Sequence, residues 1–597
     1  MASLMPVAKQ QYFNTNGTPL VGGKVYTYAA GTTTPLETYQ DQAGTTPNSN
    51  PVILDARGEA TIFWSTTSYK VVLKDANDVT IWTQDNYQYA LTASSGSSLV
   101  GYMPSGTGAV ATTVQSKLRE SVSVKDFGAV GDGVTDDTTA IQAAINAALA
   151  ATYSAPLYFP AGYYKVTSAL PNITNAITIY GAGPRDTQIV FSGAVTPINV
   201  VGSGTRATEV VFKDIMLNGN SMTGGYVVAV DWAQGVKFLN VSFNNPYNGV
   251  SLRQCGNILF QAVTMDAVRG AYGIFAYGTN TARNGENDQI DIISFTDCLI
   301  QSTYVSGGAV PTAELLVLDG RVHTVNINGL RLLSGLRGLA TKNTPALTQD
   351  LVPRFITGTA LEAENHYAEC FNFQAATDVW INNIFAAESY TSDGIKLSSS
   401  VANFCLNNGS VNSNSLHGVN INGALDVTIQ DVTIYNNSLV GAGAKSGVYV
   451  SGSGVVDIRG GMAGKASWLP VYTEKQKYGI ELDVSYNGIL TVQGVELRNN
   501  NTGALYDNNG TGQGSFVSAC PGYTPRGTTL QSVGASPYTY TAGLTVEYVN
   551  LYNGTGVVST INGVAVASTS PCSFALQPRQ SVTVSYITTP TMVINKG

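Results

Sequence analysis

From about residue 236 one short pattern recurs: apolar, any, apolar, any, then Asn, Asp or Gly, then apolar. It reads VKFLNV, ILFQAV, IISFTDC, VNINGL, VWINNI, FCLNNG, VTIQDV, VDIRGG and LTVQGV. One apolar column runs through the copies: Phe238, Phe260, Phe295, Ile327, Ile381, Leu406, Ile429, Ile458 and Val492. A second short strand follows most copies, often entered through glycine, as in NGVSL, YGIFA, DGIKL, HGVNI, SGVYV and YGIEL. Apolar spacing of two, not 3.6, excludes a helical solenoid, and the LxxLxL phase of leucine-rich repeats is absent. The expectation is an all-β chain built around a parallel β-helix. Each coil of such a solenoid leaves its backbone edge unpaired until another stacks on it, so the ends need caps.

Residues 124–148, VKDFGAVGDGVTDDTTAIQAAINAA, supply a candidate cap. Ile141, Ala144, Ile145, Ala148 and Leu149 fall on one helical stripe. Asp136 and Asp137 stand where negative charge favours a helix N-terminus. GDGVTDD lacks the glycine and terminal glutamate spacing of an EF-hand calcium loop. The helix is therefore expected to plug the open end of the first coil.

The remainder of the 597 residues divides around this solenoid. Residues 1–92 hold strand-like runs (GKVYTYAAG, EATIFW, YKVVLKD) separated by turn residues and read as a small β domain. Residues 93–119 read as a Ser/Gly-rich linker followed by a short neck helix, VATTVQSKLRE. The β-helix is expected over 120–515, and 516–597 reads as a small sandwich-like β domain, a candidate for trimerisation or carbohydrate binding. A net charge of −8 argues against nucleic acid as partner. No run approaches the roughly 18 apolar residues of a membrane span, and MASLMPVAKQQYF shows no secretory signal pattern. The six cysteines (255, 298, 370, 405, 520 and 572) are far apart without a CxxC pair, and are expected to be inert thiols rather than metal ligands.

The segment VQSKLRESVSVKDFGAVGDGVTDDTTAIQAAINAA, with LYFPAGYYKV after it, resembles the entry to the pectate-lyase-like right-handed parallel β-helix of bacteriophage tailspike depolymerases. The run FNTNGTPLVGGKVYTYAAGTTTPLETYQDQAGTTPNSNPVILDARGEATIFW resembles the particle-attachment domain of the same spikes. The resemblance implies a homotrimer in the virion, joined to the phage tail or baseplate by its N-terminal domain. It also implies synthesis in the host cytoplasm and cleavage of a bacterial capsule, O-antigen or exopolysaccharide without a cofactor. Because GDGVTDD entries occur in β-helix enzymes of several chemistries, the motif marks fold more firmly than reaction.

Stacking also aligns polar residues. The position before the second strand carries Asn248, Tyr272, Glu314, Glu369, Asp393, His417, Ser446 and Tyr478, with ELLVL taken as one of the strands. Glu369, Asp393 and His417 are 24 residues apart, and so are Glu364, Glu388 and Asn412, five positions earlier. With strands about 4.8 Å apart, Glu364, Glu369, Glu388 and Asp393 are expected in one patch. Such crowding raises carboxyl pKa values. Glycoside hydrolysis needs this kind of pairing, one carboxylic acid at the leaving oxygen and one carboxylate for water or the anomeric carbon. Glu388 or Glu364 suits the acid, and Asp393 or Glu369 the base or nucleophile. His366, Tyr367, Tyr390, Lys396 and His417 are the expected substrate-binding residues. No third ligand stands beside the two histidines at tetrahedral spacing, so no metal is expected. A polysaccharide lyase of the same fold, drawing on His417, Tyr367, Arg354 or Lys396, is the alternative chemistry. A non-catalytic polysaccharide-binding adhesin is the alternative function. Trp380 and Trp468 join Tyr390 as candidate sugar-stacking aromatics. Glu314 and Asp319 form a second carboxylate pair, and the interval from Gly329 to Thr377 reads as an excursion out of the coil that shapes a groove.

Overall fold

The Asn, Asp or Gly of the recurring pattern is where each coil bends. Asn240, Asp297, Asn383, Asn408 and Asp431 adopt φ of 52–56°, and Gly329, Gly460 and Gly494 φ of 59–74°. Short side chains that bond locally, or no side chain at all, tolerate this left-handed conformation best. The pattern is therefore a bend signal flanked by core positions. Among the described residues of the computed structural model, 32 strands from Val122–Ser123 to Phe516–Ser518 join in one continuous parallel-paired sheet. It forms a parallel β-helix with the right-handed crossovers that twisted parallel strands impose. The described residues are 3–4, 9–65, 67–87, 96–150, 155–279, 288–303, 309–344, 352–465, 475–508, 515–523 and 527–596.

The expected apolar column is present, with one addition. Phe238, Phe260, Phe295 and Ile327 pair in succession, then Ile327 pairs with Gly358 and Gly358 with Ile381. Leu406, Ile429, Ile458 and Val492 complete the series. The rings of Phe212, Phe238, Phe260 and Phe295 stack at centroid separations of 5.2, 4.9 and 5.1 Å, each contact worth about 0.5–1.5 kcal/mol beyond burial. Gly358 belongs to a further coil, whose described strands are Arg337–Lys342 and Arg354–Glu364. Residues 345–351, where the excursion is expected, lie outside the described residues, and the Gly329–Thr377 interval also holds this coil. It escaped the pattern because glycine takes the apolar position and Ala360, at φ 53°, takes the bend.

The helix Thr138–Ala150 buries Ile141, Ala144, Ile145 and Ala148 in the solenoid core, with Leu149 packed against it. Its entry loop is held by its own acids. The buried Asp137 carboxylate accepts the Val130 and Gly131 amides at 2.6 and 3.0 Å. Asp136 accepts the Thr138 amide and the Thr167 hydroxyl at 3.0 and 2.7 Å. A second internal stack is polar. Asn414 accepts from Ser389 N (3.0 Å) and donates to Asn437 (2.9 Å), which donates to Gln476, which donates to Asn500, both at 2.9 Å. A buried amide row of this kind satisfies its own members and fixes the register of the coils.

The chain divides into two units, Met1–Ser121 and Val122–Gly597. In the first, a four-stranded antiparallel sheet (Val52–Ile53, Lys24–Ala29, Tyr69–Lys74, Thr80–Tyr87) covers Val25, Ile62, Trp64 and Leu73. The expected neck helix is the short Val114–Leu118, capped by Thr113 through the Ser116 amide at 3.0 Å. In the second unit, two four-stranded antiparallel sheets between Gly527 and Lys596 enclose Val549, Leu551, Val582 and Ile594. All six cysteines are free, and four are buried. Among the described residues no helix is long and apolar enough to cross a membrane.

Candidate active site

Each coil turns a corner through a left-handed residue: Ser334, Asn365, Glu388, Ser413 and Asn436, with φ between 51° and 60°. The strands Arg354–Glu364, Phe371–Ala387 and Ile395–Asn412 end or turn there. Glu364 pairs with Ala387 and Ala387 with Asn412. Glu388 therefore stands one position past Glu364 in register, at the corner and not in the strand. The 24-residue spacing is an average of offsets of 23 and 25. Glutamate gains less from a left-handed corner than the Asn and Ser around it, which bond locally there. Glu388 is exposed, and its charge reaches Glu364. Glu364 is half-buried, and its carboxyl pKa is raised by burial first, then by Glu362 and Glu388. Glu362 is itself held by Arg331 in a bidentate pair at 2.7 and 3.0 Å.

Across the corner the second column begins, and it contains a residue the sequence reading passed over. Tyr272 pairs with Glu314, and Glu314 with Arg337. The Leu339↔Phe371 and Phe371↔Ile395 pairings then carry the column on to Glu369 and Asp393. Arg337 bridges its neighbours, with Nη1 on Glu314 at 2.8 Å and Nε on Glu369 at 2.6 Å. Lys342 also binds Glu314, and Lys396 lies 3.8 Å from Glu369. Burial opposes ionisation of Glu369, but the Arg337 hydrogen bond and charge outweigh it and hold the carboxyl below its usual range. Asp393 is 2% exposed and accepts the His417 amide at 2.9 Å and Asn420 Nδ2 at 2.8 Å. Burial still dominates and raises its pKa. Asp319, whose carboxylate receives the Thr344 amide at 2.8 Å, is raised by burial too.

The four predicted carboxylates thus flank one corner, but in two unlike settings. Glu364 and Glu388 reach solvent. Glu369 and Asp393 are buried in hydrogen-bonded pairs. All three glutamates act electrostatically on the buried Cys370 thiol. Of the predicted substrate-binding residues, Tyr367, Tyr390 and Lys396 are half-buried at this corner, and Tyr390 donates to Asn365 at 3.0 Å. The two histidines are not placed to meet a ligand. His366 is fully buried, its ring nitrogens 2.9 Å from the Leu332 carbonyl and 3.2 Å from the Gly335 amide, and burial lowers its pKa to about 4. His417 is buried, stacks on Tyr449 at 4.6 Å and accepts the Ser446 amide at 3.0 Å; burial lowers its pKa to about 3. Both rings are buried against backbone groups of other coils, which a single sequence does not reveal. Trp380 is 40% exposed on another face of the coil, beside Thr357. Trp468 lies outside the described residues.

A family described as rhamnogalacturonase A/epimerase, pectate lyase-like, matches residues 121–204, a span that ends before the first candidate residue. Over 73 residues, 11% of the chain, the protein is 49% identical to mannuronan C5-epimerase AlgE5 of Azotobacter vinelandii, a stretch covering 7% of that enzyme. It is 27% identical over 143 residues to the tail spike protein of Shigella phage Sf6, covering 23% of each chain. The chain thus spans less than a quarter of the length of either relative. Among solved structures, it is similar to tailspike protein 3 of bacteriophage CBA120, with a TM-score of 0.53 and 15% identity over 74% of this chain and 70% of that one. At that identity the likeness is one of fold.

Proposed function

We propose that this protein is a phage tailspike depolymerase, an endo-acting glycoside hydrolase that cuts a bacterial surface polysaccharide during host recognition. The observation that carries this reading is the pair at the corner, a half-buried Glu364 with a raised pKa beside an exposed Glu388. Glu364 protonates the glycosidic oxygen, and Glu388 serves as base toward water or as nucleophile at the anomeric carbon. Tyr367 and Tyr390 offer faces for sugar stacking. Glu369 and Asp393, expected as base or nucleophile, take a positioning role in this reading, since Arg337, Asn420 and the His417 amide occupy their oxygens. In this reading residues 1–92 attach the protein to the virion and it acts as a homotrimer, as the resemblance of its N-terminal run to tailspike attachment domains implies. The 516–597 segment is assigned to trimerisation or carbohydrate binding.

The experiment is incubation of the full-length protein with purified capsule, O-antigen and exopolysaccharide preparations. New reducing ends with no ultraviolet absorbance from unsaturated uronate are expected. Unsaturated ends alone would establish a lyase, and tight binding with no product of either kind would establish an adhesin.

A further inference from the structure

A second polar cluster lies at the far end of the strand Glu314–Gly320, about 20 Å from the Glu314 column by strand rise. Asp291, His323 and Arg354 pair in register on three successive coils, and Arg321 precedes His323 by two residues. His323 is 9% exposed. Its Nδ1 is 3.7 Å from Asp291, beyond a hydrogen bond, and its buried Nε2 finds no partner among the described residues. The Nε atoms of Arg321 and Arg354 are buried without a partner in the same way. Arg354 stacks on Phe355 at 5.5 Å, and Phe355 has φ 56°, a strained value for an aromatic residue. Burial, then the charge of Arg354 and less strongly that of Arg321, lower the His323 pKa against the opposing charge of Asp291, so the imidazole is kept neutral.

Buried donors without acceptors cost free energy, and a bound acceptor is one remedy. We infer that Arg321, His323 and Arg354 bind the carboxylate of an acidic sugar, so that the polysaccharide recognised by this protein carries a uronate or similar carboxylated residue. The planar fork of arginine fits a carboxylate with two parallel hydrogen bonds. The neutral His323 adds a donor without adding charge. This assignment rests on the proposed function only for the source of the carboxylate; the site itself belongs to a different end of the sheet from Glu364 and Glu388.

Titration of the full-length protein with sodium D-glucuronate, sodium D-galacturonate, their methyl esters and inorganic phosphate tests it by calorimetry. At least one free uronate is expected to bind at least ~10-fold more tightly than its uncharged ester, with phosphate a weak competitor. Arg321→Gln and Arg354→Gln are each expected to lose at least ~10-fold in uronate affinity. Equal binding of acid and ester, or no binding of either, overturns the assignment without any variant. Phosphate binding tighter than both uronates also overturns it, as does unchanged affinity in both variants. Uronate binding that survives in a protein unable to cut any polysaccharide would sink the proposed function and leave this site standing. Cleavage of polysaccharides with no preference for acidic ones would do the reverse.

Discussion

Replacing Arg337 with methionine removes the guanidinium that joins two buried carboxylates while keeping the apolar stem. Glu314 and Glu369 are only 7% and 6% exposed at their side chains, and each loses a charge-assisted hydrogen bond, of 2.8 and 2.6 Å. Breaking a buried pair by removing one partner costs about 3–5 kcal/mol. Here Arg337 is one-quarter exposed, Lys342 stays on Glu314, and Lys396 remains near Glu369, so the lower end, about 3 kcal/mol, is expected at pH 7. The sign of the pH dependence follows. In the parent the folded Glu369 pKa is depressed by Arg337, and its stabilising contribution is present above the unfolded value near 4.3 and lost as pH falls through the folded value. Without Arg337, burial raises that pKa above the unfolded one. The variant then gains relative to the parent as pH falls, and the deficit narrows toward pH ~4. Because a large β-solenoid is prone to unfold irreversibly, the assay is the unfolding rate in guanidinium by tryptophan fluorescence. A cost of about 3 kcal/mol accelerates unfolding by up to ~160-fold if none of it is felt in the transition state. Slower unfolding of the variant at pH 7, or a gap that widens on acidification, would refute the reasoning.

Other substitutions probe separate parts of the structure. Asp393→Asn should be tolerated in the fold, since Asn420 can turn its amide: its Oδ1 is buried without a partner and would accept the new Nδ2. Thermal unfolding of that variant should fall within a few degrees of the parent. Glu362→Gln removes a charge that raises the Glu364 pKa and frees Arg331, which lowers it. The alkaline limb of the pH–activity profile should therefore move to lower pH. Phe260→Ala leaves a gap in the four-ring stack and should cost about 3–5 kcal/mol, read as faster unfolding. At Gly409, with φ 109°, any Cβ would collide with the Ile384 backbone, so Gly409→Ala should abolish folded protein in expression trials.

The fold was legible because its signals are local and repeated. A bend residue after two alternating apolar positions is a backbone requirement, and it recurs in nearly every coil. The coil from Arg337 to Glu364 was hidden because Gly358 and Ala360 replaced both halves of that signal. Its second strand still carried one, since Arg337-Gly338-Leu339 repeats the residue-Gly-apolar form of Asp393-Gly394-Ile395 and His417-Gly418-Val419. Reading that form would have placed Arg337 between Glu314 and Glu369. The carboxylates were found to within one corner, but constant spacing put Glu388 in the wrong register, because corner lengths vary by a residue between coils. Which carboxylates face solvent was not legible, since it depends on Arg337, Asn420 and the His417 amide, each supplied by another coil. Sequence spacing likewise made His366 and His417 look accessible, when the turn folds both inward.

The reading of the site depends on Glu364 and Glu388 acting together on one glycosidic bond. A double-mutant cycle on polysaccharide cleavage, with Glu364→Gln, Glu388→Gln and both together, measures this. The account predicts that each single change lowers kcat by at least ~100-fold and that the double change lowers it little further, as expected of residues working as a unit. Near-parental turnover in either single variant, or losses that simply multiply, would contradict it.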